Sequence, residues 1–563
     1  MNQELSAPVL DSIQGTSAAV ARMLQGGEIE EATRLFDRAF RRWPKSVKLR
    51  LLKGELLARI SGRSQAAIHY AGMLNAVDVS QWAAGRLLAV LHEEQLPIDD
   101  ALVVARYVCD AGIDAKLKER ILDRLLERKS PAEHERLLEV LGVSAGVIKY
   151  ELKLAIKRSE KDEFDTALAL LETAHNEGRS TVQAAILLSD LYGLCSRLPD
   201  AVSVLEGLLR QYPEQPDIYR RLTSLLQRAR DFSRAADVFE EAARRWPLDW
   251  MLLFRLNRLP IERRRLARVF DVFAASADKA LAENERFRFH FALSCLHCGQ
   301  VDRGYELLRQ QFCQPVDSQA APVLKALGAR SMRGWVSGSR LVDNRTREVQ
   351  VTRTANARAT VVLTTGIAFG YLPLALVDTL FAQHGVNVIY VRDFGIRACL
   401  RGVPSLGRNE DETVAALLQL TAKLGAARTI VMGSSSGGFT ALRYGCLMQA
   451  DFAISFSGQS ALATYHASTR RSVWNPNFFV NALLERESDL PLDLVPILAK
   501  PSRTRFRQYF GENAAEDARQ ARRLEGLPGV EVIPVSGVSD HYVLDHMIGD
   551  GSFDALLAEL AGT

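Results

Sequence analysis

The chain has 563 residues, enough for two or more domains, and its 47 % apolar and 25 % charged residues suit packed cores in a soluble protein. A formal net charge of +4 is small for this length and gives no general case for binding nucleic acid. No apolar run approaches the roughly 18–20 residues of a membrane span, the start Met1-Asn2-Gln3-Glu4-Leu5-Ser6 lacks the basic-then-apolar layout of a secretory signal, and seven cysteines without framework spacing fit a reducing, cytoplasmic compartment.

Up to about residue 325 the pattern is helical throughout. Leu, Ala, Glu and Arg dominate, apolar positions recur at three and four, and β-branched runs are rare. Within this half Ala167, Ala201 and Ala235 recur every 34 residues. Each is followed at plus four by a larger apolar residue, Leu171, Leu205 and Phe239, and at plus seven by Ala174, Leu208 and Ala242. Pro213 and Pro247 close two of the units, and Ala32, Phe36, Ala39 and Pro44, then Ala66, Tyr70 and Met73, follow the same scheme near the start. Gly304 and Leu308 mark a last unit.

This period resembles the tetratricopeptide repeat, a helix-turn-helix unit stacked into a solenoid. The resemblance covers residues 15 to 325, with degenerate stretches near 80–160 and 250–285. It implies an all-α solenoid in which small residues let paired helices approach and proline stops the second helix. Such a surface serves a protein partner or self-association, or it only supports the second half. The basic cluster Glu262 to Arg268 reads as a solvated helix face. Cys295-x-x-Cys298 falls in an amphipathic helix, and with no second ligand pair at zinc-site spacing it reads as packing.

Beyond about residue 345, after a linker over 326–345, the grammar changes to short Val/Ile-rich strands alternating with helices and Gly-rich turns, as in parallel α/β domains. Strands are expected at 359–366, 386–391, 429–432, 452–457, 505–510 and 530–535, and a helix over 410–424 stopped by Gly425. The segment Gly433-Ser434-Ser435-Ser436-Gly437-Gly438 lies between an apolar strand and the start of a helix. A Gly-x-Ser-x-Gly turn in that context is a nucleophile elbow, which lifts the hydroxyl of Ser435 above the sheet. Gly433 and Gly437 are expected because side chains there would meet neighbouring backbone.

The order Gly366 after an early strand, Asp393 after the next, the elbow, and Asp540-His541 near the end resembles the α/β-hydrolase superfamily across residues 346–563. The resemblance implies a mostly parallel central sheet and a triad in the chain order Ser, acid, His. Ser435 would be the nucleophile. His541, in the loop after the last strand, would be the base that takes its proton. The acid should follow the penultimate strand; Asp517 is favoured, with Glu512 and Glu516 as alternatives. The oxyanion donors would be the backbone N–H groups of Ser436 and Ile367. Asp393 would stabilise its loop, and His546 would serve packing. Residues near 459–500 would form a cap, with an aromatic run from Trp474 to Phe479, and His466 there could touch substrate.

The implied activity is that of a serine hydrolase working through an acyl-enzyme on an acyl-bearing substrate, of esterase type, with no cofactor and no metal. An acyltransferase or deacylase acting on a glycan, and a scaffold carrying a vestigial hydrolase domain, are the alternatives. Nucleic-acid binding lacks the basic excess it needs.

Overall fold

The computed structural model describes residues 12–127, 129–141, 148–160, 162–312, 320–329, 335, 339–366, 370–462 and 490–562. The chain divides into two compact units, Met1–Ala184 and Ala185–Thr563.

Among the described residues the first unit holds ten helices that lie wholly inside it, from Ile13–Gly26 to Phe164–Asn176. Their ends are set locally. The hydroxyls of Ser12 and Ser46 accept from Gly15 N–H and Leu49 N–H, and Gly27 closes the first helix in the left-handed conformation. Small residues bring helices together: Ala32, Ala39, Ala66 and Ala167 are fully buried. At Gly54 the absent Cβ leaves room for the ring of Tyr70, which would otherwise overlap it.

The second unit opens with more helices. Along the sequence, from Phe164–Asn176 in the first unit through Leu198–Gln211 and Phe232–Arg245 in the second, helices start at a constant step of 34 residues, as do Val182–Leu194, Pro216–Arg228 and Trp250–Leu256. The sequence period is thus a period of helix pairs. Ala201, Leu205, Ala235 and Phe239 are all at 0 % exposure, which makes the repeated positions core positions. Arg265 of the basic cluster pairs with Asp237 and Glu240, while Arg268 stays exposed.

Seven strands form one sheet among the described residues, in the order β1-β3-β2-β4-β5-β6-β7. They are β1 (Val349–Thr352), β2 (Ala359–Thr365), β3 (Val386–Arg392), β4 (Arg428–Ser434), β5 (Phe452–Phe456), β6 (Arg505–Gly511) and β7 (Val530–Val535). Only β1 is antiparallel, against β3; every other pairing is parallel. β2, β3 and β5 are buried along their whole length, which is why their centres read as apolar runs. The short antiparallel β1 was not expected from the sequence. The helix Glu410–Leu424 ends at Gly425 in the left-handed conformation, as read.

A mostly parallel α/β domain, with the strand order of the α/β-hydrolase fold, follows an all-α helical region, and the core ties the two together within the unit. Phe289, Leu293 and Leu296 of the helix Glu285–His297 share one apolar cluster with Val361 and Leu363 of β2 and with Val543 and Phe553 near the C-terminus. The buried carboxylate of Asp378 is met by the guanidinium of Arg340 and the hydroxyls of Thr352 and Tyr390. Among the described residues no helix is long and apolar enough to cross a membrane.

Candidate active site

The register of the sheet aligns the C-terminal ends of β2, β4 and β5, with Thr365 beside Ser434 and Ser434 beside Phe456. Ser435 follows at φ 56° and ψ −128°, and the helix Ser436–Met448 begins directly after it. A non-glycine residue there is strained, and packing holds it. A Cβ on Gly433 would overlap the carbonyl of Gly437; one on Gly437 would overlap the carbonyl of Thr364 and come within 2.7 Å of the Gly366 nitrogen. These close approaches are the reason for both glycines. Ser436 is the first residue of its helix, where a backbone N–H has no intrahelical acceptor and is free to meet negative charge. Gly366 packs against the elbow, its own missing Cβ site 3.1 Å from Gly437 N. Ile367, the other expected oxyanion donor, lies outside the described residues, as do His466 and the run Trp474 to Phe479.

Asp517 sits in the first turn of the helix Ala515–Arg522 after β6, and His541 follows β7. His541 Nδ1 lies 2.9 Å from Oδ2 and 3.0 Å from Oδ1 of Asp517. The carboxylate is 6 % exposed, so the pair is shielded from solvent on the acid side. The other two acid candidates point elsewhere. Glu512 accepts from Ser536 Oγ and Gly537 N–H, and Glu516 accepts from Arg519 and Gln520. Among the described residues no hydrogen bond joins His541 to Ser435; Ser435 Oγ instead lies 3.5 Å from the donating amide of Gln459. Such contacts tighten only when substrate arrives in many hydrolytic sites.

The His541 loop is fitted to the end of β6. A Cβ on Gly511 would stand 2.9 Å from the carbonyl of Val538 and 3.0 Å from that of Asp540, so a glycine lets the loop close over the strand. Asp540 accepts the backbone N–H of Tyr542 at 2.8 Å and lies 3.0 Å from His546 Nε2. Burial would raise its pKa, but the bonds from His546 and Tyr542 and the nearby imidazoles hold it below the usual value. His546 therefore has a defined partner. Its chain neighbour Asp545 accepts the N–H of Tyr371 at 3.1 Å, and burial pushes its carboxyl up to about 7. Tyr371 stacks on Tyr542 with ring centroids 3.9 Å apart.

Asp393 accepts the N–H groups of Gly395, Arg397 and Cys399 at 2.7–3.1 Å. It holds a loop in which Ile396, Ala398 and Cys399 all have positive φ. This is the loop-stabilising role expected of it. Cys295 and Cys298 are pushed by burial to about 12 and about 11, as packed thiols are.

Gln459, Gly511, Asp545 and the Asp540–His546 pair were not singled out from the sequence. Only a glycine directly after an apolar strand hinted at Gly511.

No family model matches the chain, and no curated protein matches it. Among solved structures it is similar to carboxylesterases of the ammonia-oxidizing thaumarchaeon Nitrososphaera gargenis, at 17 % identity over 38 % of this chain and 93 % of that one, with a TM-score of 0.27. It is similar to the capsule O-acetyltransferase of Neisseria meningitidis serogroup A, at 15 % identity over 37 % of this chain and 90 % of that one, TM-score 0.29. It is also similar to the acylaminoacyl peptidase of Pyrococcus horikoshii, at 17 % identity over 38 % of each chain, TM-score 0.29. The fold assignment stands on the strand order, the parallel pairing and the strand-turn-helix at Ser435, not on these likenesses.

Proposed function

We propose that the second unit is a serine hydrolase of esterase type, with Ser435 as nucleophile, His541 as general base and Asp517 as the acid that orients it. The observation that carries this reading is the 2.9 Å pairing of Asp517 with His541 Nδ1 in a domain whose nucleophile elbow is intact. With Nδ1–H held by the carboxylate, Nε2 is the nitrogen left to take the Ser435 proton as the hydroxyl oxygen attacks an acyl carbon. The tetrahedral oxyanion is met by the N–H of Ser436, and the sequence expects its second donor from the loop after Gly366. Collapse expels the alcohol, which takes the proton from His541. Water, activated by the same imidazole, then attacks the acyl-enzyme, and Ser435 leaves with its proton restored.

The repeated helix pairs we assign to a protein partner or to self-association, on the strength of their constant 34-residue step.

The test uses the full chain and short p-nitrophenyl esters. Turnover in the native protein that drops at least about 10³-fold in both Ser435→Ala and His541→Ala supports the reading. Equal turnover in Ser435→Ala, or none in well-folded native protein, contradicts it.

A further inference from the structure

A cavity of about 220 Å³ opens at the C-terminal ends of β2 and β3, inside the second unit. One wall is Thr365, Gly366, Arg392 and Asp393 at the strand ends; the facing wall comes from the helices and carries Arg228, Arg258 and His290. Arg345 completes the ring. Thr365, Gly366, Asp393 and Ile396 also line a small recess, about 20 Å³, whose other side is Ser436, Gly437 and Thr440 of the elbow. The cavity is therefore adjacent to the residue that follows the nucleophile.

Its charge is unbalanced. Among the lining residues four guanidiniums, those of Arg228, Arg258, Arg345 and Arg392, stand against two carboxylates, Asp343 and Asp393, with Asp190 beside Arg228 outside the lining. Arg392 is already satisfied by Asp343 at 2.5 Å, by the Arg347 carbonyl at 3.1 Å and by Gln350 at 3.0 Å. Asp393 is engaged by its three backbone donors. Arg228 gives Nη2 to the carbonyl of Gly193 at 2.8 Å, and Arg258 lies over the ring of Phe254 at 3.8 Å. Arg345 gives Nη1 to the carbonyl of Leu256 at 2.9 Å, but its Nη2 is buried with no hydrogen-bond partner among the described residues. Arg345 is 8 % exposed. His290, also 8 % exposed, has an unpartnered Nδ1.

Keeping a guanidinium buried and incompletely bonded is costly, and burial lowers the pKa of Arg228, Arg258 and Arg345 alike. Burial also brings His290 down to about 4, so at neutral pH its ring can donate from Nδ1 without adding charge. An oxyanion in the cavity would take the spare donors and balance the excess positive charge. Arginine forks suit planar carboxylates and tetrahedral phosphate or sulfate.

We propose that this cavity binds an oxyanionic group, a carboxylate, phosphate or sulfate, carried by the substrate on the side away from the bond that Ser435 attacks. Anion binding stands on the cavity itself; its assignment to the substrate rests on the acyl-enzyme reading above.

Two measurements on the full chain separate these parts. In the first, Ser435→Ala protein is titrated calorimetrically with inorganic phosphate, sulfate and succinate at constant ionic strength in chloride. Saturable binding that weakens at least tenfold in Arg345→Met supports the site, and the order of the three anions names the group. In Arg345→Lys, whose charge is kept but whose fork is lost, intermediate binding is expected. Circular dichroism of each variant establishes that it is folded. In the second, native protein is given a p-nitrophenyl ester ending in a carboxylate and the matched methyl ester. A kcat/KM ratio of ten or more for the anion, falling toward one in Arg345→Met, supports the substrate assignment. No saturable binding of any anion together with a ratio near one in the native protein overturns the proposal. Anion binding without Ser435-dependent turnover of either ester would uphold the site and contradict the catalytic reading instead.

Discussion

The carboxylate of Asp545 accepts the backbone N–H of Tyr371 at 3.1 Å, tying the helix that follows His541 to the chain that follows β2. Gly370 makes room for it, since a Cβ there would stand 2.7 Å from Asp545 Oδ2. One buried acid thus joins the segment after β7 to the segment after β2.

That acid has a pH signature. Burial raises the Asp545 pKa to about 7, against the opposing effect of the N–H bonds from Tyr371 and Leu372 and of His546; Asp540 adds to the rise. The folded-state value lies above the unfolded one, so the folded chain holds the extra proton between about pH 4 and pH 7. Its stabilising contribution is present below that window and is lost as pH rises through 7. Asp545→Asn keeps an acceptor for Tyr371 N–H and abolishes the titration. Urea unfolding should show the variant gaining on the native protein by roughly 2–3 kcal/mol between pH 5 and pH 8. Parallel pH profiles would count against this account of Asp545.

Asp517→Asn should leave the fold intact and lower kcat by a factor on the order of 10³–10⁴, because the amide favours the wrong imidazole tautomer. Glu512→Gln and Glu516→Gln, whose carboxylates bind Ser536, Arg519 and Gln520, should fall less than about threefold. Steady-state ester hydrolysis of the three variants distinguishes them; a loss in Glu512→Gln comparable to that in Asp517→Asn would move the acid.

Gly511→Ala pushes against the carbonyls of Val538 and Asp540 and must displace the His541 loop by a few tenths of an ångström. Misplacing a reacting group by about 1 Å costs about 10²-fold, so we expect a drop of about tenfold in kcat with little change in KM. A native kcat in this variant would mean the loop position does not matter.

Asp393→Ala removes the acceptor for Gly395, Arg397 and Cys399 in a loop with three residues at positive φ. Three part-buried donors lose their partner at about 1 kcal/mol each, so chemical denaturation should show a loss of about 3 kcal/mol.

Six of the seven strands were legible because parallel strands buried on both faces must be continuous runs of apolar residues, as Val361-Val362-Leu363 and Val388-Ile389-Tyr390 are. β1 was not, since four residues on an edge carry too little pattern. The helix repeat was legible because small residues must recur wherever helices touch, and Ala201 and Ala235 sit at such contacts. The positions of Ser435 directly after β4 and of His541 after β7 were legible from the strand pattern. Asp517 was favoured over Glu512 and Glu516, which crowd the same helix start, and of the three it is Asp517 that lies against His541. Gln459 and Asp545 depend on segments far apart in the chain coming together, which no local spacing encodes.

The central claim is that Ser435 is a nucleophile activated by His541. Reacting the full chain with a fluorophosphonate and locating the adduct by peptide mass spectrometry tests it most directly. The account predicts one adduct, on Ser435, absent in Ser435→Ala and at least tenfold slower to form in His541→Ala. An adduct on another residue that persists in Ser435→Ala, or a folded native protein that takes none, would contradict it.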